Sequence, residues 1–212
     1  MDTMKSPDFE ILSSGKISNE FLQRGLISFR EAAEYISRLP YGRNSNRSNT
    51  TTIFLDNCGT CSTKHALLKK LADEQAFEGI NLVLGIFRMN RVNTPKISAT
   101  LNKYDLEFIP EAHCYLRFHD LVIDYTFNDS ERISFIDNLL EEIIIQPHQI
   151  TDFKFNYHNT YLEYWLKTNN NSRYTLDEIW AIREECIGEL SVKNNDDYFP
   201  CSSVFSSNRV LS

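Results

Sequence analysis

The sequence predicts an α+β chain, and three observations carry that class. Two capping boxes, Ser28-Phe29-Arg30-Glu31 and Thr175-Leu176-Asp177-Glu178, each open a stretch with apolar residues at helical spacing. The run INLVLGIFR, residues 80–88, is mostly apolar and has strand composition, which suits a central strand. Residues 112–118 and 121–127 alternate and are joined very tightly, which predicts a hairpin. Helices, a strand, a hairpin and further helices, with so few strands, make α+β the class.

The first helix starts at Ser28 and turns Ala32, Ala33, Tyr35, Ile36 and Leu39 to one broad apolar face, and Pro40 ends it. YGRNSNRSN, residues 41–49, follows as a polar loop rich in turn formers. Thr51 to Leu55 reads as a short strand or a lead-in. The second helix starts at Thr60 or Cys61, with Leu67, Leu68, Leu71 and Ala72 on one face. Residues 133–145 are apolar and acidic, and their pattern leaves the type open. Residues 155–167 read as helical. The last helix runs from the second capping box through Leu190, with Leu176, Ile179, Trp180, Ile187 and Leu190 inward.

A chain of 212 residues, 42% of them hydrophobic, can bury a core without covalent staples and suits one domain over 1–212. Its expected parts are a core at about 28–130, a helical part at about 131–192 and a loose tail at 193–212. The formal net charge of −7 argues against a grip on nucleic acid backbone. No run approaches the ~20 apolar residues of a membrane span, and the first residues lack the apolar segment of a signal peptide. Five cysteines, unevenly spaced, suit reduced thiols. These features predict a cytoplasmic chain without membrane or nucleic acid partners, and leave the oligomeric state open.

The stretch TTIFLDNCGTCSTKH, residues 51–65, carries the chemistry. With Thr60 as N-cap, Cys61 falls in the first helical turn. There the free N–H groups and the positive end of the helix dipole favour thiolate over thiol. The same N–H groups can hold an oxyanion formed when that sulfur attacks a carbonyl. Gly59 allows a sharp turn and close approach of a substrate.

A thiolate nucleophile wants a base and a group to orient it. In EAHCYLRFHDLVIDYT, residues 111–126, a two-residue turn at His119-Asp120 pairs Phe118 with Leu121, Arg117 with Val122 and Tyr115 with Asp124. His113 and Asp124 then share a face as diagonal neighbours, roughly 7 Å apart at Cβ. A four-residue loop on the same centre keeps that parity, and a three-residue loop reverses it.

GTCSTKHALLKKLADE, a strand, and then AHCYLRFHDLVIDYT resemble the transglutaminase-like superfamily of papain-type thiol enzymes. That family's pattern is a Gly-x-Cys helix start, a His on a strand and Asp-x-Thr on the next; it matches Gly59-Thr60-Cys61, His113 and Asp124-Tyr125-Thr126 across roughly residues 50 to 130. The chain is also similar to a group of small bacterial proteins that share LPYGR (39–43), GTCSTKH and WAIREEC (180–186). The resemblance implies a nucleophile helix packed on a small antiparallel sheet, flanked by N- and C-terminal helices. It implies Cys61 as nucleophile, His113 as base and then acid, and Asp124 as orienting group. It implies a thioester intermediate at an amide or ester bond of a peptide or small-molecule substrate, resolved by water or by an amine. No cofactor and no metal are expected. Asn57, Thr60, Asn44 and His65 are the candidates for oxyanion or substrate contacts.

Competing readings remain. A silent binding module could keep the fold and use the cleft to grip a peptide or small ligand. Cys58, Cys61 and His65, with His113 or Cys114, have the makings of a zinc site, although a second close ligand pair is missing. Cys58 and Cys61 could also form a redox pair. His65, one turn beyond Cys61, is the rival base, but only His113 has an evident partner. Lys64 and His65 read as polar residues at the site mouth or satisfied side chains. His119 reads as a turn residue, and His148 and His158 as outside the site. Cys114 and Cys186 read as core, and Trp165 and Trp180 as packing rather than a substrate groove. Arg43 and Asn44 read as loop residues that could border the pocket.

Overall fold

A computed structural model describes residues 6–128, 135–168 and 173–191. Helix α1 (Lys16–Leu22), which the sequence reading did not anticipate, precedes α2 (Phe29–Arg38). The first capping box forms: Glu31 N–H donates to Ser28 Oγ, and the Glu31 carboxylate accepts from Ser28 N–H. Leu39 turns to extended backbone ahead of Pro40, as a residue before proline must.

Thr51 to Leu55 is not a strand. Thr52–Asp56 forms the short helix α3. Asn49 Oδ1 accepts from the Thr51 hydroxyl at 2.8 Å, and Asn49 O from Thr52 N–H at 3.0 Å. This side-chain turn starts a helical turn and overrides the β preference of the Thr-Thr-Ile run. Ile53 and Phe54 are buried by it. Helix α4 (Cys61–Glu74) follows, with Thr60 as its N-cap.

One antiparallel sheet is described, in the order β3-β2-β1-β4. Its strands are β1 (Ile80–Asn90), β2 (Phe108–Phe118), β3 (Leu121–Ile123) and β4 (Leu139–Ile145). The class is therefore α+β. Strand β1 is interior and covered on both faces, which explains its unbroken apolar run. Strand β4 settles the stretch whose type the sequence left open, and places a strand inside the part expected to be helical. The hairpin register is Phe118 with Leu121, Arg117 with Val122 and Leu116 with Ile123. His119 takes the turn's positive φ of 54°. The ladder stops one pair short of Tyr115 and Asp124, so β2 has no strand neighbour beside His113 on that edge.

Leu67, Leu68, Leu71 and Ala72 of α4 pack with Leu82, Leu84 and Leu116 in one core. The opposite cluster joins Val83, Phe87 and Tyr115 to Ile97 and Leu101, at the start of and within α5 (Ser98–Lys103), and to helices α6 (Asp152–Thr168) and α7 (Leu176–Ser191). Trp165 packs on Phe108 there, with ring centroids 5.7 Å apart. Cys114 lies in the first cluster and Cys186 in the second, as core residues. The expected tail at 193–212 lies outside the described residues.

Leu71 is fully buried between α4 and the sheet. Leu71→Ala is expected to cost about 2–5 kcal/mol, read as a lower urea midpoint at unchanged slope.

Candidate active site

The loop before α4 is braced from within. Asn44 Nδ2 donates to Cys58 O at 2.8 Å and to Asp56 Oδ2 at 3.2 Å, and Asn44 Oδ1 accepts from the Thr63 hydroxyl at 2.7 Å. Gly59 N–H donates to Pro40 O, and Gly42 N–H to Gly59 O. The sharp turn expected at Gly59 belongs instead to Asn57, whose φ is +50°. Gly59 is needed for space on its inner side. A Cβ there would meet Lys64 Cγ at 3.0 Å and Thr63 Oγ1 at 3.2 Å, so the room is taken by the chain's own side chains rather than left for a substrate.

Cys61 is therefore the first residue of α4, with Thr60 Oγ1 accepting from Thr63 N–H. Its own N–H and that of Ser62 have no partner within the helix. His113 meets Asp124 across the hairpin, Nε2 to Oδ2 at 2.9 Å. Asp124 Oδ1 accepts from Thr126 N–H at 2.8 Å, which holds the carboxylate. With Nε2 committed to Asp124, Nδ1 is the ring nitrogen left over, and His113 and Cys61 are near enough to shift each other's titration. The Phe135 ring, 4.7 Å from the imidazole, and Tyr115, at 6.2 Å, box it in.

His65 is a fully buried, satisfied side chain. Its Nε2 accepts from Tyr125 N–H at 2.7 Å, so the proton lies on Nδ1, which donates to Cys61 O at 2.8 Å. Burial lowers its pKa to about 4, although Asp124 pulls the other way. It ties α4 to the Asp124–Tyr125 turn and has no lone pair left for a thiol. Lys64 is buried as well, and its ammonium donates to Leu39 O at 2.6 Å and Thr126 O at 2.7 Å.

One residue near the sulfur escaped the sequence reading. Lys154 Nζ, from α6, lies 2.8 Å from Ser62 Oγ and 3.7 Å from Cys61 Sγ. The available signal was a stripe at four-residue spacing, Ile150, Lys154, His158 and Leu162, in which a lysine continues an apolar face.

The electrostatics follow from these neighbours. Burial pushes the Cys61 thiol up. The Lys154 ammonium, the charge and hydrogen bond of His113 and a backbone hydrogen bond from Cys114 more than offset it, and bring the pKa down to about 6. Burial favours neutral His113, but the Asp124 carboxylate and Cys61 thiolate raise it to about 10. Burial also opposes the charge on Asp124, yet His113 above all, then His65 and Thr126, holds it far below the usual carboxylate range. Between about pH 6 and pH 10 the stable form is thiolate, imidazolium and carboxylate together.

Beside the sulfur is a cavity of about 100 Å³, bordered by Tyr41, Thr60, Cys61, Lys154, Trp180 and Arg183 among others. Arg43 and His158 also border it. Trp180 thus belongs to a groove as well as to packing. His158, expected outside the site, is buried at its wall and donates from Nε2 to Pro110 O at 2.9 Å. Arg183 Nε donates to Glu111 Oε2 at 2.7 Å, a second Arg183–Glu111 bond runs beside it, and Arg183 also reaches Glu184. Arg43 pairs with the same Glu184.

Of the candidates for oxyanion or substrate contacts, Thr60 borders the cavity and His65 is tied to Cys61 O and Tyr125 N–H. Asn44 and Asn57 do not serve as expected. Both Asn44 amide bonds go to the loop, and Asn57 is an exposed helix end, absent from the cavity wall. The Cys58 sulfur turns to Arg43 O, and among the described residues no three His, Cys, Asp or Glu side chains come together as a metal could use them. No family model matches the chain, and neither does any curated protein or solved structure.

Proposed function

We propose that the chain is a cysteine-dependent acyl-transfer enzyme or hydrolase acting on amide or ester bonds, with a transglutaminase-like core. One observation carries the reading. The imidazole of His113 is hydrogen-bonded to Asp124 at 2.9 Å and is close enough to a cysteine that begins a helix for the two to act on each other electrostatically.

The steps follow from that arrangement. The Cys61 thiolate attacks the carbonyl carbon, and the carbonyl π pair moves to oxygen. The tetrahedral adduct collapses to a thioester, and the leaving amine or alkoxide takes the proton of the His113 imidazolium. Water or an amine then gives a proton to His113 and attacks the thioester, and a second collapse releases product and the thiolate. Asp124 keeps the imidazole in one orientation and stabilises its charged form throughout. The small cavity suits a short acyl group or a single side chain of a peptide.

Iodoacetamide alkylation against pH, with each site read by peptide mass spectrometry, tests the resting state. Thiolate forms as pH rises through the thiol pKa, so the Cys61 rate should climb around pH 6 and level off by about pH 7.5. His113→Ala should move that rise upward. A Cys61 that titrates near ~8.5, like a free thiol, and ignores the His113 change removes the catalytic reading and leaves a silent binding module.

A further inference from the structure

We propose that Lys154 is the side chain that completes the oxyanion hole, an inference that rests on the acyl-transfer reading above. The helix start offers the Cys61 N–H as one donor, and such a site needs a second. The asparagines that the sequence offered are spent on the loop or exposed. Of the cavity's three arginines, Arg183 is held by Glu111 and Arg43 by Glu184, and Arg47 is an exposed loop residue. Lys154 remains, and its geometry fits.

In the tetrahedral adduct the oxygen lies roughly 2.7 Å from the sulfur, because both are bonded to the same carbon. An ammonium 3.7 Å from Sγ reaches that oxygen at hydrogen-bond distance with a small swing. Ser62 is the pivot. Its hydroxyl accepts from Nζ at 2.8 Å and belongs to the second residue of the same helix turn, so the ammonium is held beside the backbone donors.

Charge bookkeeping points the same way. The negative charge starts on Sγ and, once the sulfur–carbon bond forms, resides on oxygen. Sulfur in the adduct is a neutral thioether-like atom with nothing to offer the ammonium. The N–H that faced the thiolate is released at the moment the oxyanion appears next to it. Lys154 carries three N–H bonds, one of them held by Ser62, so the swing breaks no other contact. One cation thus holds the resting nucleophile and then follows its charge.

Two probes separate this role from mere thiolate stabilisation. Iodoacetamide reacts at a saturated carbon, so its displacement develops no oxyanion. p-Nitrophenyl acetate acylates through a tetrahedral adduct. Each rate is taken at the plateau of its own pH profile, where Cys61 is fully thiolate. Lys154→Met should lower plateau acylation by about 10²–10³-fold. Plateau alkylation should stay level or rise slightly, since a thiolate of higher pKa is the stronger nucleophile. Lys154→Arg, which keeps a cationic donor, should recover part of the acylation. Ser62→Ala, which removes the pivot and leaves the lysine, should show the same split at smaller size, and it serves if Lys154→Met does not fold. Acylation that keeps pace with alkylation in these variants overturns the role of Lys154 alone. A wild-type protein that alkylates readily around pH 6 but is never acylated overturns the acyl-transfer reading, and this role with it.

Discussion

Replacing His113 with alanine should lower acyl transfer at pH 7 by about 10⁴-fold or more, because two functions are lost together. The imidazolium is one of the groups that keep the Cys61 thiol near pH 6 against its burial. Without it the thiol titrates higher and less of it is nucleophile at neutral pH. In the proposed mechanism the same ring is the acid that protonates the leaving group and the base that activates water or amine. Raising the pH restores the thiolate but cannot restore the proton donor. The variant should therefore recover iodoacetamide alkylation at high pH while acylation by an amide stays lost. Recovery of both in step would mean that His113 only tunes the thiol.

The largest expected effect on stability lies at the cavity wall. Arg183 and Glu111 are paired by two hydrogen bonds and are both buried, at 9% and 6% exposure. Arg183→Met keeps the packing but strands a carboxylate, which should cost about 3–5 kcal/mol at pH 7. Glu111→Gln with Arg183→Met should cost far less, because no buried charge is then left alone.

The pH dependence has a definite sign. Burial would raise Glu111, but Arg183 overrides it, and the folded pKa is about 2, below the ordinary 4.5. A depressed folded pKa gives stability that is present above about pH 4.5 and lost as pH falls towards 2. In the single variant burial dominates and the sign reverses, so stability is lost as pH rises. The gap between wild type and Arg183→Met should thus narrow steadily from pH 7 to pH 3 in urea unfolding. A constant gap would place the cost in packing rather than charge.

The position of Cys61 at a helix start was legible because its causes are local. Thr60, Cys61 and Thr63 lie within one helical turn, and the cap that fixes where α4 begins is set by residues three apart. Both capping boxes formed for the same reason. The pairing of His113 with Asp124 spans only eleven residues, and its parity followed from the two-residue turn at His119-Asp120. The strand alternative at Thr51–Leu55 failed because a competing signal, an Asn49 side chain that accepts from the Thr51 N–H and hydroxyl, also acts locally.

The sequence by itself determined the α+β class and the helix that presents Cys61, and, given a two-residue turn, the parity that brings His113 to Asp124. Only the tertiary structure decided that Lys154 stands against the sulfur, 93 residues along the chain. It alone decided that Arg183 reaches Glu111 across 72 residues, and that Asn44 braces a loop instead of facing the cavity. The physical reason is reach. Caps, turns and alternation tie together residues a few positions apart or joined by one tight hairpin, and they act before the chain is packed. A contact between α6 and the start of α4, or between α7 and β2, depends on how whole helices settle on the sheet. That is fixed by apolar surfaces which carry no code for the one lysine or arginine they bring into place.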